Sequence, residues 1–150
     1  MSNISTAFDN FKTRLSTLLP SHVELTNPYS VEQNTEGALN QGYGVILGPG
    51  SNSKRLVGCK LSVVRSFNLV LTRKFYAQEL NITGKETTAK DLFEDQKLVI
   101  ADTEKNPTIG SSAIAKIEYE SDNGLEFVLT EADNYLKLET VFKVEYFETL

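Results

Sequence analysis

Tryptophan is absent from this chain of 150 residues, and cysteine, histidine and methionine occur once each. A single cysteine, Cys59, excludes an internal disulfide framework. With His22 as the lone histidine, a zinc site of the usual ligand types is not expected. No apolar run approaches the roughly 20 residues of a membrane-spanning helix, so no membrane partner is expected. The opening MSNISTAFDN has neither a basic flank nor an apolar core, and no signal peptide is expected there. Negative charge is missing from the middle of the chain. Between Glu36 and Glu79 there is no acid, only Lys54, Arg55, Lys60, Arg65, Arg73 and Lys74.

What remains is ordinary for a globular protein, 40% hydrophobic and 23% charged. The length suits one domain, residues 1–150, able to bury about 68–70% of its unfolded surface without a staple. The net charge of −5 hides a segregation. Residues 1–75 carry eight basic side chains against four acids, a balance of +4; residues 76–150 carry seven lysines against sixteen acids, a balance of −9. Such a split points to a polarised surface, although charges of this kind also pair within a fold. A reading helix for DNA is not recognisable, and the total charge is negative, so sequence-specific DNA binding is not expected.

Ile4, Phe8, Phe11, Leu15, Leu18 and Leu19 recur at helical spacing, and Pro20 ends that helix. Residues 27–41 read as a long loop or irregular strand. Tyr43–Pro49 is a short strand closed by a Gly48-Pro49-Gly50 turn, and Gly50–Ser53 reads as a flexible docking loop. Val57, Cys59, Leu61 and Val63 share one face of a strand over 55–65, and Phe67, Leu69, Leu71 and Phe75 share one over 67–75. A second helix is expected from Thr88, with Asp91 completing a capping box and Asp91, Glu94 and Asp95 facing the helix N-terminus. Leu92, Gln96, Val99 and Ile100 line its apolar side until Asn106-Pro107. Alternation resumes at 113–120, Asp122-Asn123-Gly124 reads as a hairpin turn, and 125–130 pairs back. The clearest strand holds Leu136, Leu138, Phe142, Val144 and Tyr146 on one face. The expected fold is α+β in the order α-β-β-β-α-β-β-β, a mostly antiparallel or mixed sheet with two helices packed against it.

Sites of chemistry are few. Gly48–Lys54 departs from a phosphate loop, because the glycines are misplaced, Pro49 removes a donor and a strand follows. His22 lacks a nucleophile motif, and Cys59 on an apolar strand face reads as a buried thiol. The sequence therefore carries no catalytic, cofactor-binding or metal-binding assignment, and no enzyme is expected.

The opening helix closed by Pro20, the Tyr43–Ser53 strand continued by Phe67–Arg73, and the acidic helix Thr88–Thr103 together resemble a tail terminator (tail completion) protein of long-tailed bacteriophages. The resemblance spans nearly the whole chain. It implies a homohexameric ring in the virion neck, assembled in the bacterial host cytoplasm, that caps the tail tube, stops tube polymerisation and offers the head–tail joining surface. The implied partners are further copies of the chain, the tail tube protein and a head–tail connector protein, with DNA passing through the ring without sequence-specific contact. A head–tail connector protein of the same neck and a monomeric protein-binding module are the alternatives. A closed ring needs two different patches that meet. Lys54, Arg55, Arg65, Arg73 and Lys74 against Asp91, Glu94 and Asp95 are the expected pair. Reversing Arg73 and Lys74 is then expected to impair assembly with the fold intact.

Overall fold

The computed structural model describes residues 2–56, 58–75, 82–110, 115–130 and 134–149, with the side chains of 51–56, 82–85 and 129 outside that description. Helix α1 (Asn3–Leu18) starts where the Ser2 hydroxyl accepts from the Ser5 N–H at 3.2 Å, and its apolar stripe buries Ala7, Phe11 and Leu15. Strand β1 (Val23–Glu24) follows, then a 3-10 turn (Val31–Gln33) and a short helix α2 (Glu36–Leu39). Two long strands come next, β2 (Gln41–Leu56) and β3 (Lys60–Phe75). Helix α3 (Ile82–Lys105), β4 (Thr108–Ile109), β5 (Ala115–Leu129) and β6 (Asn134–Thr149) complete the chain.

The six strands form one sheet in the order β1-β2-β3-β6-β5-β4, antiparallel except that β1 runs parallel to β2. The α+β expectation holds, and the short α2 is the addition to the expected order. The segmentation differs in the middle. Three expected strands are one long hairpin, because the chain does not turn at Gly48-Pro49-Gly50; β2 runs through it with register shifts between Leu47 and Gly50 and between Ser51 and Lys54. The glycines serve close packing instead. A Cβ on Gly48 would lie 1.8 Å from the Ser66 hydroxyl, and one on Gly50 would lie 2.8 Å from the Arg65 guanidinium. Proline is tolerated there because bulged, edge-lying strand positions can do without an N–H.

The docking loop expected at Gly50, Ser51, Asn52 and Ser53 is therefore strand, with Gly50 opposite Arg65 and Ser51 opposite Val64. The reversal comes later, at Gly58 (φ +81°) and Cys59 (φ +59°). Cys59 is an exposed turn residue, not the buried strand thiol that its apolar neighbours suggested. Val57 lies outside the described residues. Asp122-Asn123-Gly124 is likewise no hairpin: β5 continues past it, and Gly124 at φ +78° absorbs a register shift between Asp122 and Leu125. Positive φ serves bulges as well as turns, so the dipeptide signal was ambiguous. Helix α3 begins at Ile82 and not near Thr88; Thr88 is a buried residue inside the helix, so Thr88-x-x-Asp91 is not an N-terminal capping box.

Face A of the sheet carries the main core. Tyr43 and Val45 of β2, Phe67, Leu69 and Leu71 of β3, and Leu138, Phe142 and Val144 of β6 meet α1 and α3 there. The opposite face B has a smaller core at one end, where residues 25–39 cross the sheet as a strap and bury Leu25, Val31 and Leu39 against Val70, Val128 and Tyr135. Asn34 holds the strap's shape. Its amide donates to the carbonyls of Asn27 (2.8 Å) and Val31 (2.9 Å), and its oxygen accepts from the Asn27 N–H at 2.9 Å. The strap lies close because β2 presents glycines beneath it: a Cβ on Gly42 would sit 2.4 Å from the Ala38 carbonyl oxygen, and one on Gly44 would sit 2.8 Å from Pro28.

Candidate functional site

Two of the eight charged residues expected at an interface find each other inside the chain. Arg73 of β3 grips Asp95 of α3 in a fork, Nε to Oδ2 at 2.8 Å and a terminal nitrogen to Oδ1 at 2.9 Å. Asp95 is 5% exposed. His22, just beyond α1, brings Nε2 to 3.1 Å from Asp95 Oδ2. The other ring nitrogen, Nδ1, lies 3.2 Å from the Gln41 side-chain amide. Burial works to raise the Asp95 pKa, but the His22 contact and the Arg73 hydrogen bonds outweigh it and leave the carboxyl below its usual range. The same hydrogen bond to Asp95 raises the Arg73 pKa above its ordinary value.

A His–Asp pair invites comparison with a catalytic dyad, but the geometry is that of a pin. In the dyad the carboxylate holds one ring nitrogen and the other faces a nucleophile. Here the second nitrogen faces Gln41, and the His22 side chain is 5% exposed. Nδ1 is held by Gln41 and Nε2 is buried against Asp95, so neither nitrogen faces a nucleophile. The cluster ties α3 to β3, β2 and the end of α1. Arg73 and Asp95 belong to it, so they are fold residues. Reversing Arg73 would set a carboxylate against buried Asp95, which contradicts the expectation of an intact fold in that variant.

The remaining expected interface residues are dispersed. Arg65 donates to the Gly48 carbonyl at 3.0 Å and reaches the Tyr146 hydroxyl at 3.4 Å, so it stabilises the bulge in β2. The Lys74 backbone N–H donates to the Asn40 carbonyl at 3.2 Å. Asp91 and Glu94 are exposed on α3, and Asp91 adds to the field that favours charged Arg73. The side chains of Lys54 and Arg55 lie outside the described residues. Sequence reasoning missed the role of His22. The available signal was Asp95 itself, which shares the buried stripe of α3 with Thr88, Leu92 and Val99; an acid on an apolar stripe requires a cation.

The sheet's two long edges are its most distinctive surface. On one side, β1 covers β2 only at Gly42 and Tyr43, with the Leu25 N–H donating to the Tyr43 carbonyl at 2.8 Å. On the other, β4 covers β5 only at Ala115 and Lys116, and the Ile117 N–H donates to the Pro107 carbonyl at 2.7 Å. Among the described residues no strand other than β3 pairs with β2 beyond Gly44, and none other than β6 pairs with β5 from Glu118 to Leu129. Open edges of this length are templates for another strand. Their charges differ. Strand β2 carries Lys54 and Arg55 and no acid, whereas β5 carries Glu118, Glu120, Asp122 and Glu126 against Lys116, a balance of −3 in sequence, with Glu118 and Glu126 paired to Lys143 and Lys137 of β6 at 3.2 and 3.1 Å. Three successive antiparallel pairings set β5 antiparallel to β2.

Among the described residues no cluster of three or more His, Cys, Asp or Glu is placed to hold a metal, and no helix is long and apolar enough to cross a membrane. No protein-family model matches the chain, and no curated protein matches it in sequence.

Proposed function

We propose that the chain is a structural subunit whose copies join edge to edge into a ring, and that the ring caps the tail tube of a long-tailed bacteriophage, ending tube growth and presenting the head–tail joining surface. The observation that carries the ring is the pair of open edges, at opposite ends of one sheet, unlike in charge and antiparallel in direction. Joining β5 of one copy to β2 of the next continues the alternation of the sheet. It is a heterologous contact, the kind that closes into rings. The guard strands add a constraint. Strand β1 blocks β2 at its beginning, level with Leu125, and β4 blocks β5 at its beginning, level with Tyr146. The open windows of neighbouring copies therefore coincide best when the copies are offset along the strands, and such stagger is what a closed, tilted sheet requires.

The tail-tube assignment comes from the resemblance of the opening helix, the Tyr43–Ser53 and Phe67–Arg73 strands and the acidic helix to tail terminators. The hexameric count, the tail tube and connector partners and the virion location come with that resemblance. The test is capping. Tail tube protein polymerised with this chain present should yield shorter tubes bearing extra density at one end. Tubes of unchanged length and bare ends would overturn the assignment.

A further inference from the structure

The open stretch of β2 lies at the bottom of a slot. Phe8 of α1 stands on one side, on face A, and Pro28 and Tyr29 of the strap on the other; Val45 and Leu47 line a space of about 470 Å³ between them, where Lys12 of α1 pairs with Glu24 of β1 at 2.7 Å. Leu47 is 41% exposed and Tyr29 69%, a large apolar surface to leave in water. At the far side of the same sheet a second apolar feature reaches solvent, although the Phe127 ring also packs edge-on against Phe75 with centroids 6.0 Å apart. Leu125 and Phe127 of β5 stand on face A, opposite Leu138 and Leu136 of β6, and are 38% and 57% exposed.

We propose that the slot receives the Leu125–Phe127 ridge of a second copy of this chain. The assignment rests on the edge-to-edge ring above and names its contact. Three features select this occupant. First, side chains alternate, so a strand laid beside β2 in the same sheet must bring its own face-A residues beside Val45 and Leu47. On the open edge of β5 those residues are Tyr119, Leu125 and Phe127; Tyr119 packs edge-on against Phe142, and the more exposed Phe127 with its neighbour Leu125 is the pair set against Leu47, which turns Glu126 to face B. A slip of one residue would press Glu126 against Phe8 and Leu47 and strand both apolar side chains on the wrong face, so the register is specified. Second, β2 carries no acid, whereas β5 carries Glu120 and Asp122 beyond the Glu118 and Glu126 that pair with Lys143 and Lys137 of β6, so two copies of β2 repel and β5 beside β2 attracts. Third, among the described residues nothing pairs with the outer edge of β5 along Leu125–Leu129, where β4 does not reach.

Cross-linking tests the contact. Leu47→Cys and Phe127→Cys are each made in a Cys59→Ser background, which removes the only native thiol, and the two proteins are mixed and treated with a short bis-maleimide. Cross-linked dimer should dominate in the mixture and fall at least tenfold in either variant alone. Leu125→Cys replaces Phe127→Cys if thermal melts show that the latter disturbs the fold. Equal cross-linking within one variant would overturn the contact in favour of a two-fold pairing. Oligomer by light scattering without cross-link would overturn the slot assignment and leave the ring standing. Monomer without cross-link would overturn both, and would fit a slot that takes a strand from another protein.

Discussion

Helices α1 and α3 lie on the same face of one sheet and are attached by opposite means. Helix α1 is held by aromatic packing. Phe8 and Phe11 meet Phe67 with ring centroids 5.6 and 5.8 Å apart, and Phe11 meets Phe142 at 5.6 Å. Helix α3 also buries Leu92 and Val99, but two polar residues stand between them on its inner face. Asp95 takes the Arg73 fork, and the Gln96 amide donates to the Thr140 hydroxyl at 2.9 Å and to Asp122 at 3.3 Å. Arg14 of α1 joins the helices, donating to the Asn106 carbonyl at 2.7 Å just past the end of α3. On α1 the directional bonds lie at the rim, from Asn3 and Ile4 to the end of β6 and from Arg14 to the end of α3, and burial supplies the core; on α3 the directional bonds stand inside the core itself.

The contrast can be broken at several points. Phe67→Ala removes the ring both α1 aromatics share and should cost about 3–5 kcal/mol in urea denaturation, with no dependence on pH. Asp95→Asn should cost about 2–3 kcal/mol, below the figure for a fully enclosed pair because the Arg73 side chain retains 23% exposure. The two losses differ in kind. Because Asp95 titrates lower in the folded chain than its ordinary value of about 3.9, ionised Asp95 contributes stability above that pH, and the contribution disappears as pH falls through the lower folded value. Melting temperatures of the wild type should therefore drop more steeply below about pH 4 than those of Asp95→Asn, while Phe67→Ala should keep the wild-type slope. The smallest effect is expected at Gln96. Thr140→Val alone should cost about 1 kcal/mol by withdrawing an acceptor from a buried amide, and adding Gln96→Leu should recover most of it.

The same contrast explains what could be read from sequence. The α1 stripe and the Leu136–Tyr146 alternation are apolar patterns, and both appear where periodicity puts them. The inner face of α3 carries Asp95 and Gln96, so periodicity alone could not tell their burial from a solvated face; only Arg73, 22 positions earlier, and His22, 73 positions earlier, make the acid tolerable there. The β2 and β5 glycines were misread for a related reason. Gly48, Gly50 and Gly124 look like turn residues in isolation, and only the facing strands show that two make room for Ser66 and Arg65 while the third relieves a bulge. The charge split between the two halves was legible, but its placement was not. Arg73 and Asp95 neutralise each other inside the fold, and Glu118 and Glu126 of β5 pair with Lys143 and Lys137 of β6, which leaves Lys54 and Arg55 on β2 and Glu120 and Asp122 on β5 as the edge charges for a partner.

That leftover polarity is the basis of the ring, and assembly in solution tests it most directly. Light scattering across a concentration and salt series, with negative-stain images of the largest species, should show a discrete closed oligomer with a central hole that weakens as salt screens the β2 and β5 charges. A monomer throughout the series, or a two-fold dimer with no ring, would contradict it.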